Sequence, residues 1–398
     1  MKFLFIGPDY PGVGRAGSGS GIAIYLREIA LGLTARGHCC HVLVWSAADS
    51  KAELSLGIRG FDEKEACHAE GITIFELAHS YWPLLERIAP DSRDAHSLRR
   101  AVGMLDSAHG YDWIEIQSEE GIGIGVQKDW PMSTILRVHT TLDHMAECKQ
   151  VPPSARLRYR LARERRSLRL ARHLVTHSQG HADDVARRFG IERPAVVYHG
   201  VDIETDVSPA VEPDERPARP RILMVGTADR RKGFDRIRGV LDRYGGAGGC
   251  TVVIVSRCSE EEKRTFRLQS PLPAGVEIEW LSGIDADRMA REYRRASALL
   301  HLARYESFGR PLIEAAAFGI PVVTTRVGIA PELLAGELER FLVTGDDPAE
   351  VVRALDAAIA ERTAVGRVLR ERYERTFTRD RMVVSYLQML GEWADREG

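Results

Sequence analysis

Short apolar runs alternate with longer segments of helical periodicity along the whole chain. Most of these runs are nearly continuous in apolar residues, which is typical of parallel strands that helices cover on both faces. The first half contains KFLFIG, HVLVWS, ITIFEL, WIEIQS, TILRVHT, HLVTHS and AVVYHG, and the second half contains RILMVG, TVVIVS, VEIEWLSG, SALLHLA and PVVTT. The alternation predicts an α/β fold with two doubly wound domains, each built on a parallel sheet.

A segment of different composition separates the two halves. The stretch SPAVEPDERPARP at residues 208–220 contains four prolines among charged residues, which is typical of a linker. The sequence therefore predicts a first domain at 1–207, a second at 221–379, and a final amphipathic helix at 380–398. Ligands of doubly wound sheets bind beyond the carboxyl ends of the strands, so two facing domains would share one cleft.

Composition excludes several classes of protein. The chain of 398 residues has a net charge of -2 and a pI near 6.7, which gives no general attraction to nucleic acid. No apolar stretch approaches the roughly 20 residues of a membrane span, and MKFLFIGPDY is too short for a signal peptide. The six cysteines form no C-x-x-C pair, so we expect reduced thiols in a cytoplasmic protein.

A glycine-rich segment follows the first predicted strand. It reads GPDYPGVGRAGSGSG at residues 7–21 and contains G-x-G-x-x-G at Gly12, Gly14 and Gly17. A dinucleotide fingerprint places its first glycine at the strand end and its third inside the helix, whereas here two prolines intervene and SGSG follows. No acidic residue ends the next predicted strand. We expect no nicotinamide or flavin cofactor, and interpret the segment as a loop that closes over a phosphorylated ligand.

Two glutamates eight positions apart mark the second half. Glu306 and Glu314 lie in YESFGRPLIEAAAFGIPVVTT, with Glu306 in the loop after a predicted strand. Pro311 suits the first helical position, which places Glu314 in the first turn, and unpaired N–H groups of residues 308–312 should point into the cleft. A carboxylate accepts two hydrogen bonds side by side, which matches the vicinal hydroxyls of a ribose. Taken alone, the pair could also be a solvated acid and a partner of the helix dipole.

A cationic turn follows the first predicted strand of the second domain. In RILMVGTADRRKGFDRI, Gly226 ends the strand and Arg230, Arg231 and Lys232 follow it. Cations at the carboxyl edge of a sheet suit a diphosphate, although a solvated turn is the alternative.

Together these segments resemble the retaining GT-B glycosyltransferases of family 4. The most specific part of the resemblance is the E-x7-E motif from Glu306 to Glu314, followed by AAAFGIPVVTT and GIAPELL. Further matches are KGFD at 232–235, GVD at 200–202 and the glycines before a helix that ends in ARGH. The resemblance covers nearly the whole chain. It implies a GT-B fold, in which two Rossmann-like domains face an interdomain cleft with the acceptor on the first domain and the donor on the second.

The resemblance also implies roles for the matching residues. Glu314 would hold the ribose of the donor nucleotide, Glu306 would accept a hydrogen bond from the donor hexose, and Lys232 would neutralise the diphosphate. Gly21 would close on the diphosphate, and His139 would contact the donor sugar near the reacting carbon. The implied catalytic residues are Glu306, His139 and Lys232, and the implied donor site is Gly21, Gly226, Thr227, Arg231, Lys232, Glu306, Phe308, Gly309, Arg310 and Glu314.

Some positions depart from the family pattern. Thr227 replaces an arginine that binds the diphosphate in many relatives, and both Arg230 and Arg231 are candidates to substitute for it. The other departures are Ser20 for glycine, Ser307 for glycine and His199 for asparagine. The role of His139 has an alternative, a neutral histidine that is hydrogen-bonded to the backbone.

The implied activity is transfer of a hexosyl group, with retention, from a nucleotide diphosphate sugar to an acceptor hydroxyl. A UDP-sugar is the expected donor, and we expect neither metal nor cofactor. A nucleotide-sugar epimerase, a non-catalytic nucleotide-sugar-binding protein and an NAD-dependent enzyme are the alternatives.

Two further segments allow two interpretations each. The DAD sequence at 285–287 imitates a metal-binding motif, but more simply predicts a helix cap. The arginine-rich segment 154–173 could bind anionic lipid head groups and a lipid-linked acceptor at the inner membrane face, or could be a solvated helix face.

Overall fold

Both predicted sheets are present, each consisting mainly of parallel strands with helices on either face, which confirms the α/β fold class. The computed structural model describes residues 1–11, 20–45, 57–59, 67–78, 90–203, 219–244, 249–266, 268 and 271–397. Most of the predicted linker at 208–220 lies outside the described residues. Gly12, Gly14 and Gly17 also lie outside them.

The first sheet begins with the chain. Its strands are β1 (Lys2–Gly7), β2 (Cys39–Val44), β3 (Gly57–Arg59), β4 (Cys67–Ala69), β5 (Ile72–Ala78), β6 (Trp113–Gln117), β7 (Thr134–Arg137), β8 (His173–Thr176) and β9 (Ala195–Val196). They lie in the order β3-β5-β2-β1-β6-β7-β8-β9, with β4 also paired to β5. The strands β3 and β4 pair antiparallel with β5, and the other neighbours pair in parallel. The direction of winding reverses between β1 and β6.

Helices cover both faces of this sheet because its strands are apolar on both sides. These helices are α1 (Gly21–Thr34), α2 (Pro90–His109), α3 (Ile124–Asp129), α4 (Leu142–Lys149), α5 (Ala155–Leu170) and α6 (Gln179–Phe189). Phe3 and Phe5 of β1 pack in one core cluster, which includes apolar residues of α1. Leu4 and Ile6 point to the opposite face and pack in a second cluster with residues of α2. This alternation is the two-residue period of a strand.

The second sheet contains β10 (Arg221–Val225), β11 (Cys250–Val255), β12 (Val276–Leu281), β13 (Ala298–His301), β14 (Val322–Thr325) and β15 (Leu342–Val343). All pair in parallel in the order β12-β11-β10-β13-β14-β15, so the winding reverses between β10 and β13. Its helices are α7 (Phe234–Tyr244), α8 (Glu260–Thr265), α9 (Ala286–Arg295), α10 (Arg310–Ala317), α11 (Ala330–Leu333), α12 (Pro348–Ala360) and α13 (Arg362–Thr376). Open sheets of this order bind ligands at the reversal, beyond the carboxyl ends of the strands.

The helix α14 (Arg379–Glu397) returns to the first sheet. Its buried Val383 and Tyr386 pack in the same core cluster as Phe3 and Phe5. Close approach to α1 requires Gly32, because a Cβ atom there would lie 2.4 Å from a methyl carbon of Val383. The interaction of α14 with β1 therefore joins segments from opposite ends of the described chain. The boundaries at 207 and 221 stay predictions.

Replacing Tyr386 by alanine should destabilise the protein, because the side chain is fully buried between α14 and β1. We expect a loss of about 3–5 kcal/mol in the free energy of unfolding, as for other large aromatic deletions. Urea unfolding followed by circular dichroism measures it. Tyr386→Phe keeps the ring and should cost at most about 1.5 kcal/mol; equal losses for the two variants would contradict the packing role.

Candidate active site

Glu306 is the centre of the charged cluster at the carboxyl edge of the second sheet. It lies in the loop between β13 and α10 and is only 8% exposed. Lys232 Nζ donates a hydrogen bond to Glu306 Oε1, His301 Nε2 lies 3.1 Å from the same oxygen, and Arg231 lies 3.5 Å from Oε2. His301 ends β13 and Glu306 follows it, whereas Arg231 and Lys232 lie in the turn after β10. The winding of the sheet reverses between these two strands.

The partners of Glu306 keep it ionised despite its burial. Burial alone would raise the pKa of this carboxyl, but the positive charge of Lys232 and the hydrogen bond from His301 outweigh it, so the pKa lies well below 4.5. An ionised carboxylate only accepts hydrogen bonds, so His301 donates through Nε2. Burial also lowers the pKa of His301, which favours this neutral donor.

The structure distinguishes the two arginines that were candidates to replace the one missing at Thr227. The Arg231 side chain is 13% exposed and reaches Glu306, whereas Arg230 is 46% exposed and pairs with Asp235 at 3.6 Å. Thr227 itself is exposed. The cationic turn therefore directs Arg231 and Lys232 into the cluster and leaves Arg230 at the surface.

Glycine allows this turn to pack against the neighbouring loop. Gly233 has φ +76, and a Cβ atom there would lie 2.0 Å from the carbonyl oxygen of Leu302. Gly226 follows β10 and has φ +141, and a Cβ atom there would lie 3.5 Å from the Lys232 side chain. The positive φ favours glycine at both positions, and the close approach to Leu302 gives Gly233 of the KGFD resemblance a steric basis as well.

Glu314 lies further into its helix than predicted. The left-handed Gly309 (φ 96) precedes α10, which begins at Arg310 rather than at Pro311, so Glu314 is the fifth residue and lies beyond the first turn. Arg310 Nε donates to Glu314 Oε1 at 2.6 Å, and Tyr293 Oη donates to Oε2 at 2.7 Å. These two donors fix the carboxylate plane. Sequence reasoning missed both side-chain contacts.

The backbone N–H of Leu312, which was predicted to be unpaired, forms a hydrogen bond. Leu312 N donates to Gly309 O at 2.9 Å, because the left-handed glycine folds the helix start into a tight turn. The carbonyl of Phe308 accepts from Ile329 N at 2.7 Å, which fixes the loop before the helix. The prediction that N–H groups throughout residues 308–312 point into the cleft is therefore wrong for Leu312.

His139 is half-buried and belongs to a group of histidines at the carboxyl edge of the first sheet. It lies two residues beyond β7, with Nε2 hydrogen-bonded to Gln117 Oε1 and Nδ1 3.1 Å from His177 Nε2. Its partners are thus side chains, not the backbone carbonyl of the alternative interpretation. Burial, and then the charge of Arg137, lower the pKa of His139 well below 6.5, so the ring is neutral.

His199 is a neighbour that the sequence marked only as a departure from the family pattern. Its ring stacks on Tyr25 (4.8 Å between centroids, 15°) and meets Phe308 of the second domain edge-on at 5.3 Å. Both ring nitrogens are buried and have no hydrogen-bond partner among the described residues. Burial, and then Arg310, lower the pKa of His199 well below 6.5. The histidine group therefore contacts the loop that carries Glu306.

Gly21 is the first residue of α1. A Cβ atom on Gly21 would have no neighbour within 4 Å among the described residues. Ser20 caps the helix, accepting from Ala23 N at 3.0 Å and donating to Asp9 at 2.7 Å. Serine at this departure from the pattern thus stabilises the helix start.

Polar contacts join the two domains around these groups. Lys149 of α4 lies 3.6 Å from Asp229 of the cationic turn. The Gln179 backbone N–H at the start of α6 donates to Glu332 at 2.9 Å. Of the predicted site residues of the second domain, Phe308 contacts His199 directly, whereas Thr227 and Arg230 are exposed.

The DAD sequence is a helix cap. Asp285 Oδ1 accepts from Arg288 N at 2.7 Å at the start of α9. Among the described residues, no three His, Cys, Asp or Glu side chains are arranged to hold a metal ion. Nor does any described helix combine the length and apolarity needed to cross a membrane.

Comparisons with known proteins agree with this geometry. Two family models match, "Glycosyltransferase Family 4" over residues 19–205 and "Glycosyl transferases group 1" over residues 211–376. A D-inositol 3-phosphate glycosyltransferase of Geodermatophilus obscurus is 25% identical, and the match covers 97% of this chain and 88% of the relative.

Solved structures share the fold. Sucrose-phosphate synthase from Thermosynechococcus elongatus superposes with a TM-score of 0.75 at 19% identity and covers 99% of each chain. HepE from Anabaena, solved in complex with UDP and glucose, superposes with a TM-score of 0.65 at 17% identity and covers 98% of this chain and 100% of its own.

The buried neutral histidines predict a loss of stability in mild acid. Unfolded histidines take up protons below about pH 6.5, whereas His139, His177 and His199 cannot do so until far lower pH, so stability falls as pH drops below that value. The pKa of Glu306 is lowered, so this carboxylate would add to the loss of stability only below about pH 4.5.

Between pH 7.5 and 5.5 the free energy of unfolding should fall less steeply in His199→Asn than in the wild type, by up to about 1.4 kcal/mol per pH unit. Urea unfolding at each pH measures it. His96→Asn, at an exposed position of α2, is the control. An unchanged pH dependence in His199→Asn would refute the assignment.

Proposed function

The chain belongs to the group 1 glycosyltransferases of family 4, which have the GT-B fold, and on that premise we propose a specific reaction. It moves a hexosyl group from a UDP-sugar to an acceptor hydroxyl and retains the anomeric configuration. The observation that supports this proposal most strongly is the Glu306, Lys232 and Arg231 cluster at the winding reversal of the second sheet.

The donor nucleotide binds to the second domain in this proposal. Glu314 accepts the ribose hydroxyls, and Tyr293 and Arg310 support that role because they fix both carboxylate oxygens. Each oxygen keeps a free lone pair for a hydroxyl donor. A uracil nucleotide accords with the UDP in the related HepE complex.

Binding of the diphosphate would rearrange the Glu306 cluster. The ammonium of Lys232 can donate three hydrogen bonds and can therefore hold a phosphate oxygen as well as Glu306. Arg231 lies on the same side and adds a second charge. Glu306 would then accept a hydrogen bond from the hexose, while Gly21 closes on the diphosphate from the first domain.

The transfer itself would proceed by same-face displacement. The acceptor oxygen bonds to the anomeric carbon on the face from which the diphosphate leaves, and a departing phosphate oxygen takes the acceptor proton. Lys232, Arg231 and the start of α10 stabilise the charge that develops on the leaving group. In this proposal the cations replace a metal ion, and no cofactor takes part. His139 contacts the donor sugar through its neutral ring.

The first domain would bind the acceptor and contact the inner face of the membrane through α5. On that helix Arg158, Arg166 and Arg169 are exposed. Tyr159 and Leu170 are 49% and 43% exposed and could enter the head-group region. Arg160, Arg163 and Arg165 of the same helix instead contact Glu120 or Asp143.

Lys232→Ala and Glu314→Gln test the donor site. The first should lower kcat for nucleotide release by about 10²–10³, as for loss of a transition-state donor, and the second should raise the donor KM by about 10–100-fold. Nucleotide release is measured with a panel of UDP-, GDP- and ADP-sugars, with and without alcohol acceptors that include inositol phosphate.

The controls for this experiment are Lys128→Ala and Glu371→Ala, because both side chains are exposed. Near-normal kinetics in both site variants would exclude the proposed residues. Conversion of one nucleotide sugar into another without nucleotide release would favour an epimerase.

Charge reversal tests the membrane contact. The triple variant Arg158→Glu, Arg166→Glu, Arg169→Glu should reduce cosedimentation with phosphatidylglycerol vesicles about a hundredfold, at about 1 kcal/mol per lost basic residue. Reversal of exposed Arg326, Arg353 and Arg367 in the second domain is the matched control. Equal effects of the two triple variants would show that net charge alone determines vesicle binding, and would contradict a contact through α5.

A further inference from the structure

The segment Tyr305–Ser307 lies between the two domains, and its neighbouring side chains contact different domains. Glu306 points back into the second domain, where Lys232 and His301 hold it. The side chains of Tyr305 and Ser307, on either side, contact the first domain. One short loop segment therefore contacts both domains.

Tyr305 occupies an aromatic slot in the first domain. Its ring stacks on His144 of α4, with centroids 4.0 Å apart and planes at 18°, and meets His181 of α6 edge-on at 6.1 Å. Its hydroxyl is buried and has no hydrogen-bond partner among the described residues. The ring, not the hydroxyl, therefore makes the interaction.

The first domain holds this slot in a fixed orientation. His144 Nε2 lies 2.6 Å from Asp184 Oδ2, and its Nδ1 lies 2.7 Å from Thr141 Oγ1. With both nitrogens bonded, the imidazole plane cannot rotate freely. The face that receives Tyr305 is thus present before the second domain meets it.

The next residues of the segment extend the contact. Ser178 Oγ donates to the carbonyl of Ser307 at 3.0 Å, and Thr140 Oγ1 lies 3.4 Å from Ser307 Oγ. Thr140 follows His139, so the segment is anchored beside the proposed sugar-contacting histidine.

We propose that Tyr305 is a positioning residue, whose docking between His144 and His181 on domain closure fixes the loop that presents Glu306 to the donor hexose. The inference rests on the proposed function, since it concerns the same site. Closure and the placement of Glu306 are then one event. A donor bound to the open protein would meet a Glu306 loop that lacks its support from the first domain.

This role separates binding of the donor from its turnover. Glu314 and Lys232 belong to the second domain and do not contact Tyr305, so the donor KM should depend little on Tyr305. Turnover needs Glu306 in place and should depend on it strongly.

Kinetics of four variants test the inference. Tyr305→Ala should lower kcat about tenfold while the donor KM changes by less than about threefold, and Tyr305→Phe should restore the wild-type kcat because it retains the ring. His144→Ala should match Tyr305→Ala, and the double variant should lose no more than either single one. Effects that multiply in the double variant, or a Phe variant as slow as the Ala variant, would overturn the proposal.

Small-angle scattering provides a readout that does not depend on activity. Tyr305→Ala should have a larger radius of gyration than the wild type in the presence of UDP, and Tyr305→Phe should not, while far-UV circular dichroism remains the same for all three. Equal radii would overturn the docking role. If the wild-type protein releases no nucleotide from any donor, the proposed function fails, and scattering alone decides the role of Tyr305.

Discussion

The charged cluster depends on one electrostatic constraint, the burial of the Glu306 carboxylate. A charged group at 8% exposure is tolerated only if partners replace the water it loses, and here Lys232, His301 and Arg231 do so. The need for these partners brings the turn after β10 against the loop after β13, and Gly233 makes that approach sterically possible. A cluster of cations at the carboxyl edge of the second sheet then follows from requirements that also stabilise the fold.

The winding of each sheet determines where these groups can meet. In both sheets the direction reverses beside the first strand of the domain, between β1 and β6 and between β10 and β13. The loops at these points diverge and leave a crevice. The Glu306 cluster lies at one reversal, and Gln117, the partner of His139, ends β6 at the other. Each sheet thus carries one of the two side-chain groups at the point where its winding reverses.

Local patterns predicted the sheets, the cationic turn and the acidic pair, because strand composition, glycine positions and motif spacing are properties of neighbouring residues. Contacts across space were not predictable in this way. Tyr293 reaches Glu314 from another helix, His199 stacks on a tyrosine of α1, and Tyr305 enters a slot in the other domain. The choice between Arg230 and Arg231 depended on the direction of one turn, and the position of Glu314 on a left-handed glycine that moved the helix start by one residue.

The packing of α14 on β1 has a consequence for biosynthesis. One face of the first sheet, with Phe3 and Phe5, is covered partly by Val383 and Tyr386, which the ribosome adds only after the entire second sheet. Until then that apolar face lacks part of its cover, and a nascent chain exposes it to solvent. The N-terminal half should therefore depend on chaperones during translation more than its own strand order would suggest.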